Sequence, residues 1–188
     1  MPKCVIAMSG KRKSGKDYCT RILEQELQKR AVTVTVTGIS NSLKKEYARI
    51  HELDFAELLT DGPYKEQYRK EMIKWGEEAR EKDSGVFCRS AIDPLIDSDV
   101  VIVSDCRRLT DYAYFTANYS TITVRVETSE ENRIQRGFRF VEGVDDCESE
   151  CGLDNFEFDV ILKNTTGVDL KPQVETIILR ILENLKKI

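Results

Sequence analysis

Cys4-Val-Ile-Ala-Met-Ser-Gly10-Lys-Arg-Lys-Ser-Gly15-Lys16-Asp17 is the stretch that decides the fold. Cys4 to Met8 is a short apolar run, the pattern of a strand buried on both faces. It ends in a Gly-rich loop that fits G-x-x-x-x-G-K, and Lys16 to Lys29 follows with Cys19, Ile22, Leu23 and Leu27 at helical spacing. Strand, loop and helix in that order form a phosphate-binding loop: its glycines let backbone N–H groups face phosphate oxygens, and the helix N-terminus adds a favourable partial charge. Gly10, Lys11, Arg12, Lys13, Ser14, Gly15 and Lys16 are therefore candidate nucleotide contacts, with Lys16 reaching the β- and γ-phosphates. The first 16 residues carry Lys3, Lys11, Arg12, Lys13 and Lys16 and no acid, a local positive field in a chain of net charge −4. Asp17 stands where a Ser or Thr would normally meet Mg²⁺. As a hard oxygen donor it can hold that ion directly or through water, or it can simply favour the helix N-terminus as an anion.

Working outward, strand and helix patterns alternate. Val32 to Thr37, Asp99 to Ser104, Thr121 to Val126 and Phe158 to Leu162 read as strands. Ser40 to Ile50, Pro63 to Glu81, Thr110 to Asn118 and Ser129 to Arg136 read as helices, Pro63 at a first helical position and Ser129 as an N-cap. Val174, Ile177, Ile178, Ile181, Leu182 and Leu185 mark a closing amphipathic helix. The alternation predicts an α/β three-layer sandwich: a mostly parallel central sheet covered on both faces. One domain, 1–188, is expected, with a helical insertion at about 40–96 and a lid at about 138–157, where periodicity fails.

Composition excludes other classes. The longest mid-chain apolar run is Val100–Val103, far short of the roughly 18 to 20 residues of a membrane helix. The N-terminal apolar run is too short for a secretory signal, and the acidic balance disfavours a nucleic-acid binder. Six cysteines without a C-x-x-C pair and a single His, His51, argue against zinc and for ordinary reduced thiols. Trp75, Met72 and Ile73 read as core of the insertion, and His51 as a helix end.

Further chemistry gathers at the strand ends. Val101-Ile-Val-Ser-Asp105 places an acid where it could orient Mg²⁺ or cap a turn. Arg107 and Arg108 follow at the crevice where open sheets bind ligands, and guanidinium forks suit phosphate and carboxylate. Arg80, Arg89, Arg125, Arg133 and Arg136 lie at the edges of the irregular segments. Val141 to Asp159 holds eight acids and no Lys or Arg, either a solvated acidic loop or a source of partners for those arginines. With one His, no Ser-His-Asp set can be built. An acceptor that is itself a phosphate monoester, with a second pKa of about 6, is already an anionic nucleophile and needs no base.

Ser9 to Asp17 resembles the phosphate loop of animal-type phosphomevalonate kinases, including its final Asp. Tyr64-Lys-Glu, Trp75-Gly-Glu-Glu with Arg80, Phe87-Cys-Arg89, Val103-Ser-Asp with Arg107-Arg108, Arg136-Gly137 and, most specifically, Gly143 to Phe156 resemble that family in the same order. The resemblance runs from about Val5 to Gly167. It implies a nucleoside-monophosphate-kinase-like fold and transfer of the γ-phosphoryl group of ATP, with Mg²⁺, to 5-phosphomevalonate, giving 5-diphosphomevalonate and ADP in the mevalonate route to isoprenoids and sterols. It implies Lys11 to Asp17 and Arg136 on the ATP side, where the motif adds Gly10 and the place just before the lid adds Arg133, and Arg80, Arg89, Arg107, Arg108, Arg125 and Asn164 on the substrate side. Lys16, Arg107 and Arg108 would be catalytic, with Asp17 and Asp105 toward the metal. A cytosolic monomer is expected, since Lys186-Lys-Ile188 is not a peroxisomal address. Motifs alone leave a nucleoside monophosphate kinase as the alternative. A regulatory nucleotide switch is less favoured, because no Asn precedes a Lys as its guanine motif requires.

Overall fold

The computed structural model describes residues 1–60, 62–95 and 97–186. Asp61 and Ile96, inside the expected insertion, and Lys187 and Ile188, in the C-terminal reading, lie outside the described residues.

Five parallel strands among the described residues form one sheet in the order β2-β3-β1-β4-β5. They are β1 (Cys4–Ser9), β2 (Val34–Thr37), β3 (Val100–Val103), β4 (Thr121–Glu127) and β5 (Val160–Lys163). β1 lies between β3 and β4, with Cys4 opposite Val100 and Val5 opposite Thr121. Its six residues are all buried, as a central strand with both faces covered must be. Alternate side chains serve the two layers. Cys4, Ile6 and Met8 pack with Leu23 and Leu27 of α1 (Lys16–Gln28) and Ile177, Ile178 and Ile181 of α9 (Lys171–Lys186). Val5 and Ala7 face Phe87, Ile92, Tyr112 and Phe115, from α5 (Val86–Ile92) and α6 (Leu109–Asn118).

No strand interrupts residues 40–95 among those described. α2 (Ile39–His51), α3 (Phe55–Leu59), α4 (Pro63–Lys82) and α5 occupy them, with Pro63 in the first turn of α4. α3 and α5 are too short to carry a readable helical period. Tyr47, Ala48, Leu58 and Met72 make a separate core here, with Trp75 packed against it. Ile73 does not join it: it is 55% exposed and faces a cavity described below. His51 ends α2 and stacks on Tyr47.

α7 (Glu130–Gln135) is capped by Ser129, whose hydroxyl accepts the Asn132 N–H. β5 begins two residues later than its apolar pattern indicates, because the Asp159 carboxylate accepts from the backbone and hydroxyl of Thr123 just before it. The segment 138–157 holds α8 (Glu148–Cys151), and it buries Phe138 and Leu153. Its acids are not simply solvated: Asp145, Glu148, Glu150 and Asp154 all pair with cations.

Candidate active site

The loop between β1 and α1 is the centre. Gly15, the cap of α1, has φ +86°, and a Cβ there would fall 2.1 Å from Asn164 Nδ2. Asn164 sits so close because its amide donates to the Ser14 carbonyl at 2.9 Å. Arg136 joins it: Nη1 donates to the Ser14 carbonyl at 2.8 Å and Nη2 to the Asn164 carbonyl at 2.9 Å. Gly10 is equally confined, its absent Cβ lying 2.9 Å from the Val126 carbonyl. Arg133 Nε donates to the Arg12 carbonyl at 2.9 Å, and its guanidinium stacks 3.7 Å over Phe138. The loop is thus held from outside by residues more than 100 positions away in sequence. The Ser14 hydroxyl is buried with no hydrogen-bond partner, and a Cβ on Gly10 would fall 2.6 Å from it.

Three cavities follow one another through this region. The first, about 770 Å³, is lined by Tyr18, Ile22, Arg136, Asn164, Val174 and the turn 165–171. The second, about 380 Å³, is the loop itself, residues 10–17, with Arg107 and Arg136. The third, about 520 Å³, lies between the sheet and the helical insertion. Arg136 lines the first two and Arg107 the last two, so the cavities form a chain joined by guanidiniums.

The third cavity has a cationic side and an aliphatic side. Arg80, Arg107, Arg108, Arg69 and Lys44 supply positive charge, met in part by Glu77, Asp105, Asp111 and Glu148 of the same lining, while Ile39, Leu43, Met72 and Ile73 supply carbon. Arg80 lies 4.8 Å over the Phe87 ring. Burial, and then the neighbouring Arg108 cation, lower its pKa from the ordinary arginine value. Arg108 pairs with Glu77 at 2.5 Å and with Glu148 at 3.5 Å. The Asp111 carboxylate, 3% exposed, accepts the backbone N–H groups of Arg107 and Arg108, each at 3.0 Å. Burial raises its pKa, and those two N–H donors oppose the rise. Asp111 fixes the turn that presents both arginines, and the sequence carries its signal: an acid three residues after Arg108, at the third position of α6, in capping-box spacing.

Not every expected residue converges. Lys16, with a side chain 14% exposed, lies 3.4 Å from Asp17 Oδ1, and the Asp17 carboxylate points to solvent. Both oxygens of Asp105 accept N–H groups at the start of α2, from Ile39 at 2.6 Å and Ser40 at 3.0 Å. Arg125 is buried, reaching Asp154 at 2.8 Å and the Leu153 carbonyl at 3.4 Å. It lines none of those three cavities, but it lines a smaller one of about 220 Å³ with Lys11, Ser14 and Arg133, and it anchors the end of segment 138–157. Arg89 pairs with Asp83, and it too lies outside all three linings. Asn164 lines the first cavity and not the third, where a substrate-side role would place it. Sequence reasoning missed the aliphatic wall because tertiary packing assembles it; it also missed Asp111, whose capping-box spacing is a local signal, and the turn 165–171.

A phosphate loop after β1, parallel strands in this order and a cation-lined cavity across Arg107 define a phosphotransferase-type nucleotide-binding protein. The sequence model of phosphomevalonate kinases matches residues 8–121, and the chain belongs to that family. It is 42% identical over 173 residues to the phosphomevalonate kinase of Drosophila melanogaster, covering 88% of this chain and 90% of that protein. Its fold is similar to the crystal structure of TT1252 from Thermus thermophilus, with a TM-score of 0.55 at 14% identity over 97% of this chain and 99% of that one. It is also similar to the crystal structure of APE1195, with a TM-score of 0.51 at 18% identity over 97% of this chain and 96% of that one.

Proposed function

We propose that the chain transfers the γ-phosphoryl group of ATP to 5-phosphomevalonate, giving 5-diphosphomevalonate and ADP. The observation that carries the reading is Arg107, common to the lining of the phosphate loop and of the cation-and-aliphatic cavity. One guanidinium there can meet the transferring group and its acceptor together.

The nucleotide base and ribose take the cavity of Tyr18, Arg136 and the turn 165–171, and the phosphates take residues 10–17. The loop fits them: residues 10–17 line a cavity of about 380 Å³ with Arg107 and Arg136, and Gly10 and Gly15 permit close packing that a Cβ would prevent. Asp17 and Asp105 are the residues that would hold Mg²⁺, which neutralises phosphate charge and orients the triphosphate when bound. Asp17 is the freer of the two, since both Asp105 oxygens already accept N–H groups. An oxygen of the acceptor monoester attacks Pγ, the bond from Pγ to the bridging oxygen breaks, and its electron pair leaves with ADP. The dianionic acceptor has no proton to lose, so the protein supplies positioning and positive charge: Lys16 at the phosphates, Arg107 and Arg108 on the acceptor, Arg80 behind them.

The aliphatic wall favours this acceptor over a nucleoside monophosphate. Ile39, Leu43, Met72 and Ile73 suit a branched hydrocarbon chain, and no aromatic ring is among the described residues lining the cavity. A nucleobase commonly finds aromatic or amide partners for its flat face and edges. Segment 138–157 acts as a lid over the cavities. No helix among the described residues is long and apolar enough to cross a membrane, and the partly exposed thiols Cys147 and Cys151 suit the reducing cytosol. Initial rates of ADP release test the reading. Phosphomevalonate should support turnover at least about a hundredfold faster than AMP, CMP, UMP or GMP, a selectivity of buried-charge recognition. Equal rates with a nucleotide would overturn it.

A further inference from the structure

Arg107 is held by a carboxylate, and that carboxylate also touches the phosphate loop. Glu150 Oε1 accepts from Arg107 Nη1, and Oε2 accepts the Arg12 main-chain N–H at 3.1 Å. Its side chain is 4% exposed, so this is a built contact rather than a passing surface pair. Asp145 beside it is equally buried and grips the Arg12 guanidinium at 2.8 Å. An acceptor phosphate would want the same guanidinium. A buried carboxylate and a phosphate compete for it, because like charges at such range repel strongly.

We propose that Glu150 is a positioning residue that makes phosphoryl transfer wait for the acceptor. It ties Arg107 to the loop and withholds it from the γ-phosphoryl group. The acceptor phosphate, entering from the cavity of Arg80 and Arg108, provides the charge that draws Arg107 away from Glu150. Without that exchange, Arg107 does not assist attack by water, in which a water oxygen bonds to Pγ, the bridging oxygen leaves with ADP and a proton passes to solvent. Glu150 thereby sets preference for a phosphate acceptor over water. The inference rests on the kinase reading above and deepens it.

The test compares ATP hydrolysis without acceptor to transfer with phosphomevalonate in the full chain. Glu150→Gln keeps shape and an acceptor oxygen but removes the charge. Acceptor-free hydrolysis should rise about tenfold to a hundredfold, part of the factor that one electrostatic donor contributes. Transfer to phosphomevalonate should stay within about threefold, so the ratio of the two rates changes, which a merely structural role would not bring about. Adding Arg107→Met should abolish the rise. Glu150→Asp, one methylene shorter, cannot span both partners and should raise hydrolysis by a smaller factor. Unchanged hydrolysis in folded Glu150→Gln, or a rise that survives Arg107→Met, overturns the proposal. If both Glu150 variants fail to fold, the residue is a structural brace and the proposal is equally overturned. A wild-type chain without phosphomevalonate-dependent ADP release would instead overturn the kinase reading itself.

Discussion

Replacing Gly15 by Ala separates two kinds of strain. Gly15 has φ +86°, a left-handed conformation that a residue with a Cβ adopts at roughly 1 to 2 kcal/mol. The new Cβ would also stand 2.1 Å from Asn164 Nδ2, so the amide must leave. It then abandons its 2.9 Å bond to the Ser14 carbonyl, which keeps its 2.8 Å bond from Arg136, so one net hydrogen bond is lost, about 0.5 to 1.5 kcal/mol. The sum is about 1.5 to 3.5 kcal/mol, or roughly 3 to 14 °C in Tm for a chain of this size. Gly137 is the control: its φ is +83°, yet a Cβ there meets nothing within 4 Å. Gly137→Ala should show only the backbone part, about 1 to 2 kcal/mol. Thermal unfolding gives both values, and calorimetric ATP titration should show weakening of at least about tenfold for Gly15→Ala, from the 1.4 kcal/mol that one decade represents. Equal destabilisation by the two substitutions, or Gly15→Ala binding ATP like wild type, would refute the brace formed by Asn164.

Lys16→Met should lower kcat by at least roughly a hundredfold with a smaller change in ATP affinity, the pattern of charge stabilised in the transition state; steady-state kinetics with varied ATP decide it. Arg107→Lys and Arg108→Lys keep charge but lose the planar fork, and each should remove about 2 to 3 kcal/mol from kcat/KM for the acceptor with little change in KM for ATP. Burial lifts the Cys4 and Cys19 thiols to about 11, against smaller opposing effects of Asn184 on Cys4 and Arg136 on Cys19. Below the ordinary thiol value of about 8.5 both folded and unfolded chains keep these protons; above it the unfolded chain releases them first. Thermal stability should therefore hold near neutral pH and fall between about 9 and 11, with Cys19→Ala reducing the fall.

The sheet was legible where local pattern and burial agree. β1 and β3 are unbroken apolar runs because both of their faces are covered, and α9 shows its buried stripe because its other face meets water. The phosphate loop was legible because its chemistry is local. The acceptor cavity was not. Ile73 has the period of a core residue, and nothing in the helical spacing of α4 tells which side chain meets a neighbouring helix and which meets a ligand cavity. Arg125 was readable as an arginine within an apolar strand, but its partners, Asp154 and the Leu153 carbonyl, come from a segment without periodicity. The bond of Asn164 to Ser14 spans 150 positions, and no local pattern encodes such a pairing. Eight acids between 141 and 159 were visible as composition; which of them meet Arg12, Arg107, Arg108 and Arg125 depends on the turn into α8.

The central claim is that the two cavities joined by Arg107 bring ATP and a phosphate-bearing acceptor together for direct transfer. Phosphorus NMR of the purified chain with ATP, Mg²⁺ and phosphomevalonate follows every phosphorus atom at once. The account predicts that the monoester signal disappears in step with the ATP γ signal and is replaced by the coupled pair of a diphosphate ester, while ADP accumulates in equal amount and orthophosphate stays at background. Orthophosphate appearing with ADP while the monoester signal persists would contradict it.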